Sequence, residues 1–146
     1  MTRMKRIYVA SSWRNEEQPT VVSTLRSAGH EVYDFRNPWL GQGGFSWREI
    51  APEWQQWTPA QYLKILLRHP TVGHGFLTDL RAMKWADTCV MVRPCGRSAH
   101  LELGWMAGAG KHTIILLAQQ PEEPELMALL ADDICLSIGE VLERLK

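Results

Sequence analysis

Apolar residues fall along this chain in short blocks, and the period inside each block changes from one to the next. Ile7-Tyr8-Val9-Ala10 is a compact run that predicts a buried strand. Val21, Val22, Leu25 and Ala28 recur at helical spacing behind a start marked by Asn15 and Pro19, and Gly29 ends that helix. A second strand is predicted over 30–35. Gly41-Gln42-Gly43-Gly44 is read as a flexible loop, and Ser46-Trp47-Arg48-Glu49 has the form of a capping box opening a short helix that Pro52 bends or ends. Thr58-Pro59-Ala60-Gln61 starts another helix, closed by His69-Pro70; Gly73 and Gly75 mark a turn, and 76–86 is again helical. Residues 88–92 form a third apolar strand. Pro94, Gly96 and Ser98 then lead into a helix that is apolar nearly all round and stops at Gly108-Ala109-Gly110. A strand over 112–118, a helix over 125–131, a strand over 134–136 and a helix over 138–145 complete the pattern.

Strands alternating with helices predict an α/β fold: a single, doubly wound, flavodoxin-like five-stranded parallel sheet in the order 2-1-3-4-5. Residues 1–146 are read as one domain, with a tryptophan-rich insertion at about 36–75. In that order the first and third strands send their helices to opposite faces, which opens a crevice at their carboxyl ends. The turns leaving them are Ser11-Ser12-Trp13-Arg14 and Cys95-Gly96-Arg97-Ser98.

Composition narrows the function classes. The chain has 146 residues, 45% hydrophobic and 22% charged, and a formal net charge of zero. Nothing in that balance favours a nucleic-acid or membrane-surface partner. No apolar run reaches the length of a membrane span, and the basic start is not followed by a signal-peptide core, so a cytoplasmic location is expected. Three cysteines without metal-ligand spacing read as reduced thiols. The five histidines show no paired metal spacing either. Of the seven tryptophans, Trp39, Trp47, Trp54 and Trp57 cluster, which reads as core under a loop; Trp13 belongs at the crevice mouth.

Two carboxylates stand in the wrong place for solvated charges. Glu102 falls on its helix between Trp105 and Met106, with Ala99 and Leu103 close by, so it must be paired, neutralised or working, as a nucleophile or a base. Asp79 shares a helical face with Ala82, Met83 and Ala86. Glu102 could equally be a structural acid paired with Arg14, Arg97 or a tyrosine, and Asp79 a capping or packing residue, but two inward acids in one crevice can also divide labour, one ionised and one protonated. Ser12, Arg14, Gly96, Arg97 and Ser98 would surround an anion, although Ser98 could equally be a simple helix cap.

The set Ile7-Tyr8-Val9-Ala10-Ser11-Ser12-Trp13, Asp79-Leu80…Met83…Ala86-Asp87 and Glu102-Leu103-Gly104…Gly110-Lys111 resembles the nucleoside 2-deoxyribosyltransferase-like superfamily. That superfamily includes base-exchanging transferases and hydrolases of nucleoside 5′-monophosphates, and the resemblance covers roughly residues 6–118. It implies cleavage or exchange of the N-glycosidic bond of a (deoxy)nucleoside or its 5′-monophosphate. Glu102 would be the nucleophile that forms a glycosyl-enzyme, Tyr8 the residue that orients it, and Asp79 the acid that protonates the departing base. Ser11, Ser12, Trp13, Arg14, Gly96, Arg97 and Ser98 would hold the substrate. The resemblance implies a small-molecule nucleoside or nucleotide as partner, no metal or redox cofactor, and a homo-oligomer, dimer or higher. Where the transferases carry a further aspartate before the nucleophile this chain has Gly96, while Ser12 and Arg14 match the nucleotide hydrolases. The alternatives are an NAD-type glycohydrolase related to TIR domains and a non-catalytic nucleotide-binding or interaction module.

Overall fold

A computed structural model describes residues 3–39 and 44–146. The glycine-rich loop expected from Gly41 lies outside these residues except for Gly44. The elements run β1 (Arg6–Ala10), α1 (Gln18–Ser27), β2 (Glu31–Asp34), α2 (Trp47–Ile50), a 3-10 turn (Trp54–Gln56), α3 (Pro59–Arg68), α4 (Pro70–Trp85), β3 (Thr88–Val92), α5 (Arg97–Gly108), β4 (His112–Leu116), a second 3-10 turn (Leu126–Leu130), β5 (Asp133–Cys135) and α6 (Ile138–Arg144). The five strands form one parallel sheet in the order β2-β1-β3-β4-β5, as the alternation predicts. None of the described helices is long and apolar enough to cross a membrane.

The two-residue period of the strands divides the core into two layers. Ile7, Val9, Val90, Val92, Ile114 and Leu116 face α1 and α6, where Val21, Val22, Leu25, Val141 and Leu145 close over them. The alternate residues Tyr8, Ala10, Cys89, Met91 and Ile115 face α4 and α5, against Ala82, Met83, Ala86, Ala99, Leu103 and Met106. Register then brings two tyrosines side by side: Tyr8 of β1 pairs with Tyr33 of β2, so both phenols lie on the α4/α5 face. Around the pair the layer is largely aliphatic or sulfur-bearing, with the buried Thr113 further along the sheet on β4.

Three local expectations are corrected. Gly73 and Gly75 do not make a turn; they lie inside α4, which begins at Pro70 with His69 as its cap. A side chain at Gly75 would press on the Phe45 ring, at 3.1 Å from Cδ2, so packing supplies what helix propensity lacks there. Ser46 precedes α2 without a side-chain capping bond. The 125–131 helix is a 3-10 turn over Leu126–Leu130. By contrast the Thr58–Gln61 capping box is fully formed, with both reciprocal bonds in place.

Candidate active site

The β1 and β3 turns do face one crevice. It opens into a cavity of about 620 Å³ lined by Ser11–Arg14 on one side, Gly96–Ala99 and Glu102 on another, and Asp79 with the aromatic segment opposite. The turns are stitched together: Ser11 Oγ donates to the Val92 carbonyl at 2.9 Å, and the buried Asn15 amide donates to the Val92 and Pro94 carbonyls at 3.3 and 3.1 Å. The Asn15 Oδ1 accepts from the Glu17 and Gln18 amides at the start of α1, whose cap position is Glu17, so one side chain both fixes the approach to that helix and ties the β1 turn to β3.

Arg36, which the sequence pattern did not single out, fastens the same turn from the other side. Its Nη2 lies 3.2, 2.9 and 2.8 Å from the carbonyl oxygens of Ser12, Trp13 and Asn15. Its guanidinium also sits 5.4 Å from the Trp13 ring centroid. Replacing Arg36 by Ala leaves those carbonyls without their donor. The expected loss is about 2 kcal/mol of unfolding free energy in urea titration, and a melt unchanged from wild type would show that the turn holds without it.

Glu102 stands in the second turn of α5, on the stripe of Ala99, Leu103 and Met106 that meets the sheet, yet it still reaches the cavity. Burial pushes its carboxyl up to about 8, while the neighbouring Tyr8 hydroxyl favours the ionised form and the charge of Asp79 opposes it. Tyr8 itself is held well above its usual range by burial and by these two acids. It lies under the cavity floor, 1% exposed. Asp79 is also raised by burial, and is drawn the other way by the Tyr33 hydroxyl, which donates to Oδ1 at 2.9 Å. Thus Tyr8, Asp79 and Glu102 are brought together, Asp79 is held by the Tyr33 hydroxyl, Tyr8 lies beside Glu102, and neither acid has an ion-pair partner among the described residues.

The expected anion-binding residues also share the cavity. Ser12, Arg14, Gly96, Arg97 and Ser98 all line it, and among the described residues neither Arg14 nor Arg97 is engaged in an ion pair. Gly96, not Ser98, is the cap of α5, and no side chain bonds to the free amides there. Ser98 lies within the helix. Trp13, 52% exposed, stands at the mouth with its ring edge-on to Phe35 at 5.5 Å.

The tryptophan segment departs from a plain core. Trp39 and Trp47 line the cavity with Phe35 and Phe45, whereas Trp54 and Trp57 do not. Trp39 bridges Tyr33 and Trp85 by edge contacts at 5.0 and 4.9 Å, and Trp47 is edge-on to Phe45 at 4.8 Å. The wall opposite Glu102 is therefore aromatic and suited to stacking on a flat ring. His74, Thr71, Thr78 and Glu49 add polar groups to it. Their spacing in the sequence carries no shared signal; only the fold of 44–78 over the sheet places them here.

Cys95 and His100 fall on the other side of α5, in a second groove, with Sγ 3.9 Å from Nδ1. Burial lifts the thiol to about 11, so it is not an activated nucleophile. No three His, Cys, Asp or Glu side chains gather to ligate a metal among the described residues.

No family model matches the sequence, and no curated protein matches it. Solved structures do. A 2-deoxyribosyltransferase from Bacillus psychrosaccharolyticus superposes with a TM-score of 0.56 and 26% identity, over 93% of this chain and 89% of that one. A CMP N-glycosidase from Clostridium botulinum, BcmB, superposes with a TM-score of 0.54 and 19% identity, over 97% of this chain and 98% of that one. The resemblance to the nucleoside 2-deoxyribosyltransferase-like superfamily extends to the fold. Both similarities run nearly end to end along the two chains.

Proposed function

We propose that this protein cleaves or exchanges the N-glycosidic bond of a nucleoside or nucleoside 5′-monophosphate, with Glu102 as nucleophile. The observation that carries this is the pair of carboxyls, Glu102 and Asp79, facing one cavity with a stacking wall opposite. Further support comes from the similarity to a deoxyribosyltransferase and to a CMP N-glycosidase.

In this reading the base lies against Phe35, Trp39 and Trp47, and the sugar lies over Glu102. The Glu102 carboxylate attacks the anomeric carbon as the C–N bond breaks. The bonding pair leaves with the base, which takes a proton from Asp79, and a glycosyl ester on Glu102 remains. Water then releases the sugar, or a second base re-forms a nucleoside. Two acids that repel one another share a single proton over an intermediate pH range, and the productive form keeps that proton on Asp79. Arg14 and Arg97, with Ser12 and Ser98 beside them, would hold a 5′-phosphate, which favours nucleotides over free nucleosides.

The test is a panel of nucleosides and 5′-monophosphates assayed for free base by chromatography. Release is expected with the monophosphates, at kcat/KM at least tenfold above the matching nucleosides. Adding a second free base separates exchange from hydrolysis by whether a new nucleoside forms. No base released from any member would refute the reading.

A further inference from the structure

Asp79 has one firm partner and one open oxygen. Tyr33 donates to Oδ1 at 2.9 Å, and among the described residues Oδ2 accepts or donates no hydrogen bond. The phenol that makes this contact is itself fixed. Tyr33 is 1% exposed, its ring stacks on Tyr8 with centroids 5.3 Å apart and planes 15° apart, and Trp39 meets its edge at 5.0 Å. The strand register pairs the two tyrosines directly, so the phenol that serves Asp79 and the phenol that serves Glu102 are spaced by the β1–β2 repeat. Asp79 is delivered to the same point from α4.

This arrangement decides where a proton can sit. An oxygen that accepts from a phenol cannot at the same moment carry the acid's own hydrogen toward that phenol. A neutral Asp79 therefore keeps its hydrogen on Oδ2. We propose that Tyr33 is a positioning residue that occupies Oδ1 of Asp79, so that the transferable proton is held on Oδ2 and offered to the leaving base in the cavity. This deepens the glycosidic reading and rests on it for the identity of the acceptor. As the C–N pair moves onto the base, the proton passes from Oδ2 to the base nitrogen and Asp79 becomes a carboxylate. The Tyr33 hydrogen bond then changes from neutral to charge-assisted and strengthens. It thus favours the transition state over the ground state.

Tyr33→Phe removes the hydroxyl and keeps both ring contacts, so the fold is expected to survive. Two readouts follow. The first needs no turnover: the Asp79 side-chain carboxyl is followed by carbon-13 NMR against pH, its resonance assigned by its loss in Asp79→Asn. Without the phenol donating to the ionised form, its titration midpoint in Tyr33→Phe is expected to move upward by about one pH unit. A midpoint that stays where it is in the wild type, or moves downward, overturns the proposal. The second is kinetic: kcat for base release is expected to fall about tenfold with KM within twofold of wild type. A rise in KM at unchanged kcat would mark Tyr33 as a wall of the base site and would also overturn the proposal. If the wild type released no base, the glycosidic reading would fail, while the titration would still decide whether Tyr33 governs Asp79.

Discussion

Glu102→Gln is expected to lower kcat for base release by at least about 1,000-fold, because the amide neither attacks the anomeric carbon nor stabilises its positive charge. Substrate affinity should change little, since the cavity wall and the arginines stay in place. The same variant is expected to be more stable than the wild type at alkaline pH, and the sign follows from linkage. Folding raises the Glu102 carboxyl from its ordinary 4.5 to about 8. The stability that its neutral form contributes is therefore fully present below pH 4.5 and is lost as pH rises through 8. Glutamine stays neutral throughout. The advantage of the variant should be absent near pH 4.5 and reach about 2 kcal/mol by pH 9, after allowance for solvent in the cavity. Parallel urea titrations at the two pH values measure it. A variant with wild-type turnover would remove Glu102 from the chemistry, and a constant stability difference across the range would mean that its carboxyl is not buried as described.

Asp79→Asn gives the second large effect. Asparagine still accepts from Tyr33 through its carbonyl, so the geometry is kept and the transferable proton is lost. The expected cost is about 100-fold to 1,000-fold in kcat for a natural base. The loss should nearly vanish when the base is replaced by a leaving group that needs no proton, such as nitrophenolate. Measuring both substrates on both proteins isolates proton donation from positioning. An equal loss on the two substrates would assign Asp79 to base binding alone. Glu102→Gln, in contrast, should be impaired on both, because each requires the nucleophile.

The two acids illustrate how a site becomes legible. Glu102 and Asp79 are conspicuous because each interrupts an apolar helical stripe, and burying a charge without a partner is costly enough that chains rarely do so idly. Tyr8 is not conspicuous in that way. It sits in a strand run where an aromatic residue is ordinary, and only the resemblance marked it. Tyr33 and Arg36 gave no signal, because a tyrosine in an alternating strand and an arginine after it have many ordinary uses. Their roles arise from contacts between residues far apart in the chain: Tyr33 with Asp79, and Arg36 with the carbonyls of Ser12, Trp13 and Asn15. Ser98 shows the converse. Its residue type suits a cap, yet Gly96 takes that place because the chain enters α5 two residues earlier. Trp39 and Trp47 are equally instructive: composition placed them in a core, and the path of the segment placed them on a cavity wall.

Local pattern by itself determined the strand and helix alternation, the sheet order, the crevice between β1 and β3, and the presence of two misplaced acids. Those are short-range properties: period, caps and the right-handed crossover act within a few residues or one βαβ unit. What only the tertiary structure decided is which groups meet. The β1–β2 register sets Tyr8 beside Tyr33, the packing of α4 and α5 on one face brings an acid to each phenol, and the fold of residues 44–78 lays an aromatic wall over both. Hydrogen bonds and buried charges act over a few ångströms, so their partners are settled by where the backbone brings the chain together.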